Sequence, residues 1–288
     1  AFFCRFLKPL FGFKLVYDMH SSLPQQLTNF EFTKARLPIL VFERLEQTTM
    51  RAATAVVTIC PDLAEYVVPR LKDPSRHILI ENSIFEDVKL RAPAAASPDD
   101  AGILGALPGP PLIVYSGTFE PYQGIDLLIR AFVRVRECRP DASLLLVGGT
   151  PAQVERYRAF AASCGMNGGC LFTGRVPQAT ARALSRRATV LTSPRVHGTN
   201  TPLKVYEQLA SGIPLVATRI YSHTQVLNDD VCFLVEPTVD GLAAGLLEAI
   251  TNSAKREAVT SRALELYHTR YARAAYEKKM RSLLALVR

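Results

Sequence analysis

Lys204 and Glu207 stand three places apart in the run SPRVHGTNTPLKVYEQLASGIPLVAT, residues 193–218, and set a cation and a carboxylate on much the same face of what reads as a helix. An ammonium one turn into a helix, beside the free N–H groups and positive dipole end of its N-terminus, suits a phosphate or diphosphate. A carboxylate can accept two hydroxyl hydrogen bonds, which suits a ribose diol better than a phosphate. Thr201 has the side chain of an N-cap and Pro202 the fixed φ of a first helical residue, so the helix is expected over residues 202–211, ending at Gly212. Arg195, in the preceding SPR loop, is a second base. Local chemistry alone leaves a plainer reading open, because many βαβ crossovers carry a capped helix with a Gly-x-Pro exit, and Glu207 is then a surface acid.

The surrounding sequence supplies the elements that would hold these residues. LIVYS (112–116), SLLLVGG (143–149), CLFTG (170–174), VLTSP (190–194), PLVAT (214–218) and VCFLVEP (231–237) read as buried parallel strands. Helical stretches alternate with them at 125–138, 152–164, 178–187, 202–211 and 223–227, followed by 240–251 and a basic helical tract to Arg288. This is the pattern of an α/β, doubly wound domain. Upstream, KLVYDMH (14–20), AVVTICP (55–61) and ILIENS (78–83) read as strands and 36–51 as a helix, while 92–111 has the Pro/Ala/Gly composition of a linker. The expected division is 1–108, an N-terminal Rossmann-like domain with linker, and 109–288, a C-terminal one ending in a basic crossover helix. The upstream strands are too few to close a sheet, and Ala1 stands where Met would begin a chain. The first domain is therefore expected to be incomplete, its first strands lying in a longer protein.

Composition bounds the class. A chain of 288 residues with 48% hydrophobic content can bury one large or two medium cores. The net charge of +8 is uneven: residues 1–100 hold 12 bases against 12 acids, whereas 255–288 hold nine against three. An anionic partner, a nucleotide or an acidic lipid surface, fits that excess, and a solvated helix face is the plainer account of it. The six cysteines form no CxxC pair or zinc spacing and read as reduced core residues, so the expected compartment is the cytoplasm. No apolar run approaches a membrane span, and Arg5, Lys8 and Lys14 interrupt AFFCRFLKPLFGFKLVY too often for a signal peptide core. A nucleotide-dependent oxidoreductase is disfavoured because no G-x-G-x-x-G follows a strand, GGTPAQ at 148–153 having the wrong spacing. No nucleic-acid partner is expected, since the bases are not interleaved with aromatics and there is no Trp.

The ordered set KLVYDMH, FERLEQTTMRAATAVVTICPDLAEYV, ILIENSI, IVYSGTFEPYQGIDLLIRAF, SLLLVGG, LFTGRV and TPLKVYEQLASGIPLVAT resembles the retaining GT-B glycosyltransferases of family 4, the glycosyl transferase group 1 class, over nearly the whole chain. The resemblance implies a GT-B fold of two facing Rossmann-like domains, with the nucleotide-sugar on the C-terminal one and a glycan or lipid-linked acceptor mostly on the N-terminal one. It also implies no metal and no other cofactor. Glu207 falls on the second glutamate of the E-x7-E motif, the ribose ligand, and Thr199 stands where the first glutamate, beside the donor sugar, should be. That departure leaves sugar identity and activity open, and a nucleotide-sugar-binding homologue that does not turn over is the alternative. Asn200 and Thr201 lie in the loop whose N–H groups meet sugar and diphosphate. GTFEPYQG (117–124) matches the phosphate loop GRLxxxKG: Gly117 allows close backbone approach, while Thr118 and Gln123 replace the Arg and Lys that neutralise the diphosphate. Lys204, with Arg195, is expected to recover the lost charge. Arg175 follows LFTG and is expected near the nucleobase. His20, at the end of its strand, matches the histidine near the donor hexose, and His197 is a further candidate to line the donor.

The mechanism implied is front-face substitution with retention, in which the leaving diphosphate helps take the acceptor proton. Positioning and electrostatics are then the protein's contribution. In the final helix, apolar residues Leu264, Leu266, Tyr271, Tyr276, Met280, Leu283 and Leu284 are expected to pack against the Phe-rich N-terminal segment. Arg270, Arg273, Lys278, Lys279 and Arg281 would then face solvent, where an anionic cytoplasmic leaflet is a candidate peripheral contact.

Overall fold

Short runs of Val, Leu and Ile bounded by Gly, Pro and polar residues fold into two parallel sheets in a computed structural model that describes residues 2–24, 36–81, 98–166 and 168–288. The chain divides into two units: residues 1–83 together with 270–288, and residues 84–269.

In the first unit the described elements are α1 (Cys4–Phe11), β1 (Val16–Met19), α2 (Arg36–Ala52), β2 (Ala55–Thr58), α3 (Pro61–Val67) and β3 (His77–Leu79). The sheet order is β1-β2-β3, all parallel. Met19, Met50, Val56, Leu63 and Val67 form the core on one face. The strand expected over 78–83 runs only His77–Leu79, and residues 82 and 83 lie outside the described set.

The second unit begins, among described residues, with α4 (Pro98–Gly105), where a linker was expected. Pro98 suits a first helical turn. Residues 92–97 of that linker lie outside the described residues. There follow β4 (Leu112–Ser116), α5 (Ile125–Cys138), β5 (Ser143–Val147), α6 (Pro151–Ser163), β6 (Cys170–Gly174), α7 (Gln178–Ser185), β7 (Val190–Ser193), α8 (Leu203–Leu209), β8 (Leu215–Thr218), α9 (Tyr221–Thr224), β9 (Phe233–Val235), α10 (Val239–Thr251) and α11 (Ser253–Arg270). The strands pair in parallel in the order β6-β5-β4-β7-β8-β9. Leu128, Phe132, Leu144, Leu146, Leu242 and Leu246 lie in one buried core, with α10 packed on α5. The α6 start is a capping box, Thr150 accepting from the Gln153 N–H and Gln153 from the Thr150 N–H.

The basic tract expected as one helix is two, α11 and α12 (Arg273–Val287), broken at Tyr271 and Ala272. Tyr276, Met280 and Leu283 of α12 pack against Ala55, Val57, Ile78 and Ile80 of the first unit's sheet. This corrects the expectation that they cover the Phe-rich segment: Phe3, Phe6, Leu10 and Phe11 are exposed, and so is Leu284. β2 and β3 present an apolar face, and the apolar stripe of α12 lies on it. Lys279, expected at the surface, is half-buried in an ion pair with Glu81, while Arg270, Arg273, Lys278 and Arg281 are exposed.

Candidate donor site at the strand-order reversal

The order of the six-stranded sheet reverses between β4 and β7, because β4, β5 and β6 run outward one way and β7, β8 and β9 the other. The loops leaving two such neighbouring strands diverge and open a crevice at their C-terminal ends, the usual ligand position in doubly wound folds. Here those loops carry Gly117–Gln123 and Arg195–Thr201.

The two loops are tied together by the backbone: the Val196 N–H donates to the Tyr122 carbonyl at 2.9 Å. Gly124, at φ +71°, lies so close to the Pro194 carbonyl oxygen that a Cβ would overlap it. The Tyr115 hydroxyl donates to the Thr118 carbonyl at 2.6 Å and ties the Gly117–Gln123 loop to β4. Gly117 has a similar constraint, since a Cβ there would meet Tyr115 Oη at 2.8 Å and Lys204 Nζ at 3.4 Å.

Lys204 reaches back from α8 into this crevice. Its Nζ donates to Gln123 Oε1 at 3.3 Å and lies 4.3 Å from the centroid of the Tyr115 ring. Among the described residues it has no carboxylate partner. Burial, and then the nearby Arg195 charge, pull the ammonium down to about 7. Gln123 thus replaces the loop's charge with a neutral acceptor that holds the lysine of another element. Arg195 donates to the carbonyls of His197 (2.6 Å) and Asn200 (3.4 Å), and its guanidinium lies 5.0 Å from the Tyr122 ring centroid. Burial lowers its pKa too. Both cations are therefore short of anions.

Glu207 pairs with Arg182 of α7, Nη2 donating to Oε1 at 2.9 Å. With Lys204, Ser116, Gln178 and Gln208 they line a cavity of about 370 Å³ between α7 and α8. An adjoining cavity of about 260 Å³, sharing Ser116 and Ala181, is lined by Gly117, Thr118, Gly149, Arg175 and Val176. Lys204, Glu207, Gln123, Gly117, Thr118 and Arg175 are thus brought to one edge of the sheet.

One expectation, the start of α8, needs correction. Thr201 is no N-cap: α8 starts at Leu203, Pro202 at φ −66° and ψ 133° is the cap position, and the buried Thr201 hydroxyl has no hydrogen-bond partner among the described residues. With ψ extended at Pro202, the chain enters the helix one residue later than the Thr-Pro signature suggests. Thr199 is exposed and its carbonyl accepts from the Gln225 side chain. The His197 side chain is exposed. His20 lies in the first unit, just past β1, with Nε2 3.1 Å from Asp18 Oδ2.

Three participants escaped the sequence reading. Tyr115 reads as one more strand residue, although its hydroxyl at a strand end was a signal. Arg182 is 25 residues from Glu207, with no motif linking them. The third is a buried network behind the SPR loop. His223, fully buried, gives Nδ1–H to the Thr218 carbonyl (2.8 Å), which leaves Nε2 to accept from the Ser193 hydroxyl (3.0 Å). Thr218 Oγ1 in turn donates to the Arg195 carbonyl. Burial holds the His223 imidazole at about 4, hence neutral. Among the described residues no group of three or more His, Cys, Asp or Glu is placed to hold a metal ion.

Comparison with known proteins agrees with this architecture. Residues 98–265, more than half of the chain, match glycosyl transferases group 1, and the chain belongs to that family. Its fold is GT-B. The Anabaena protein HepE, crystallised with UDP, superposes at a TM-score of 0.77 over 99% of this chain and 75% of its own, at 16% identity. Sucrose-phosphate synthase from Thermosynechococcus elongatus gives 0.71 over 97% and 69%, at 21% identity. By sequence, phosphatidyl-myo-inositol mannosyltransferase of Mycobacterium leprae is 30% identical over 148 residues, 50% of this chain. The Mycobacterium tuberculosis protein of that name is 25% identical over 255 residues, 84% of this chain. This chain spans 38% of the length of the first and 66% of the second.

Proposed function

We propose that the chain serves a glycosyltransferase that moves a hexose from a nucleoside-diphosphate sugar to a glycan or lipid-linked acceptor, with retention at the anomeric carbon and no resident metal. The observation that carries this reading is Lys204: a half-buried ammonium in the crevice, with no carboxylate partner among the described residues, is a costly arrangement that a diphosphate would relieve. Glu207 takes the ribose, Arg175 lies toward the base, and Gly117, Thr118, Asn200 and Thr201 offer backbone to the diphosphate and sugar. Lys204, with Arg195 behind it, stabilises charge that grows on the leaving diphosphate, and that diphosphate accepts the proton of the attacking hydroxyl. His20 is assigned to the hexose by its match to the family position alone. A peripheral contact with an anionic membrane surface, through Arg270, Arg273, Lys278 and Arg281, is the remaining part of the proposal.

Calorimetric titration with UDP and GDP tests the donor site. Glu207→Ala is expected to weaken binding by about 1.5–3 kcal/mol, the range for hydrogen bonds to a charged group. Unchanged affinity for both nucleotides in this variant overturns the assignment. One observation favours a second reading, a donor-binding homologue that does not turn over: Thr199 leaves no carboxylate where the family places one beside the sugar. Nucleotide binding without hydrolysis or transfer from UDP-glucose or GDP-mannose, with acceptors supplied, would select it.

A further inference from the structure

Lys204 and Glu207 line the same cavity and carry opposite charges on neighbouring positions of one helix, yet they do not pair. At i and i+3 an ion pair between them is sterically ordinary. Glu207 instead accepts at Oε1 from Arg182 Nη2, 2.9 Å away. The two side chains are 18% and 29% exposed, so this contact is shielded and directional rather than a loose surface pair. Oε2 of Glu207 has no partner among the described residues, and Arg182 Nε is buried without one. The pair therefore uses one oxygen of the acid and one nitrogen of the base, and leaves an acceptor free beside the cavity.

We propose that Arg182 is a positioning residue for the donor ribose: it draws Glu207 away from Lys204, so that the acid meets the diol and the lysine meets the diphosphate. This rests on the donor-site reading above. Without Arg182 the cavity's acid and its buried ammonium would neutralise one another, and both would be lost to the ligand. The same arrangement makes Arg182 a determinant of discrimination for a nucleotide with a ribose diol over one without.

The test titrates the full chain with UDP and GDP and with their 2′,3′-dideoxy counterparts. The wild-type chain should prefer the diol by about tenfold or more, the worth of hydrogen bonds to a carboxylate. Arg182→Ala should bring that ratio close to one, and Arg182→Lys should restore most of it. A merely structural arginine would lower affinity for both forms alike and leave the ratio unchanged, and that result overturns the proposal. So does a normal ratio in Arg182→Ala. Melting curves identify variants that fail to fold; should Arg182→Ala be one, Arg182→Gln, which keeps length and a donor without the charge, is read by the same criterion. If Glu207→Ala keeps the wild-type ratio, the ribose reading itself fails and this inference falls with it. If Glu207→Ala abolishes the ratio while Arg182→Ala does not, the inference about Arg182 alone is wrong.

Discussion

The two sheets of this chain are built on opposite terms. In the six-stranded sheet β5, β7 and β8 are buried along their whole length and β4 is buried but for Ser116. In the three-stranded sheet only β2 is, while β1 and β3 are largely half-buried or exposed. The candidate donor site sits on the first kind of sheet. Keeping an ammonium out of water without a carboxylate costs stability, and a two-faced apolar core can offset that cost where a thin one has less to spare. Rigidity follows from the same packing, because loops anchored on closely packed strands can hold Gly117 and Lys204 in contact distance.

The strongest challenge to this contrast is truncation of equivalent side chains. Leu246, fully buried among the second unit's helices and strands, should cost about 3–5 kcal/mol when changed to Ala. Leu283, in the small cluster over β2 and β3, should cost about 2–3 kcal/mol. Urea unfolding followed by hydrogen exchange, which reports each unit separately, measures both, and equal costs would erase the distinction.

Lys204→Met sharpens the comparison next. It should weaken UDP and GDP binding by about 2–3 kcal/mol, yet raise the melting temperature of the empty chain by replacing a half-buried charge that has no carboxylate among the described residues with an apolar stem. A lower melting temperature would mean that the lysine has an anionic partner in the empty protein.

A smaller effect is the dependence on pH. The Lys204 ammonium is held at about 7, below its ordinary value of 10.5. Below 7 the folded and unfolded chains both carry its proton. Between 7 and 10.5 the unfolded chain binds the proton more strongly, so the empty protein gains stability as pH rises through that window. Nucleotide diphosphate binding should run the other way, weakening over the same interval and taking up a fraction of a proton near pH 8. Titrations in buffers of differing ionisation enthalpy detect that uptake, and its absence refutes the protonation of Lys204 on binding. On the acid side His223, held at about 4 from 6.5, predicts a loss of stability as pH falls between those values.

Membrane association should be the weakest effect. Lys279 is committed to Glu81, and Arg273 and Arg281 both contact Glu277. With each exposed base worth about 1 kcal/mol at an anionic surface, co-sedimentation with anionic vesicles should be modest and confined to low salt. Charge reversal at Lys278 and Arg281 should reduce it, and an unchanged result removes the membrane from the proposal.

The same contrast governs what the sequence discloses. Strands buried on both faces read as unbroken Val/Leu/Ile runs, so LIVYS coincides with β4 and SLLLVGG opens on β5, and the helix expected over 125–138 is α5. Glu207, Lys204 and Gln123 were legible as a group because the family's motif spacing places them. Arg182 was not, because an ion pair across 25 residues depends on how α7 and α8 lie side by side, which no local pattern encodes. The capping role of Thr201 was misread because one backbone angle at Pro202 decides it. The partner of α12 was misread for a different reason: periodicity shows that a stripe is apolar and is silent on which surface it covers.

That last helix has a consequence for how the protein is made. Glu81 and Lys279 are 198 residues apart, and the whole six-stranded unit is encoded between them. During synthesis the first sheet emerges with one face bare, and the helix that covers it follows only after the six-stranded unit. The later-encoded unit can fold on contacts of its own, whereas the earlier one must wait for loop closure across it. Chaperone dependence and aggregation of nascent chains should therefore arise from the β2–β3 face, and a stop codon after Thr269 should damage the three-stranded unit, which is translated before the six-stranded one.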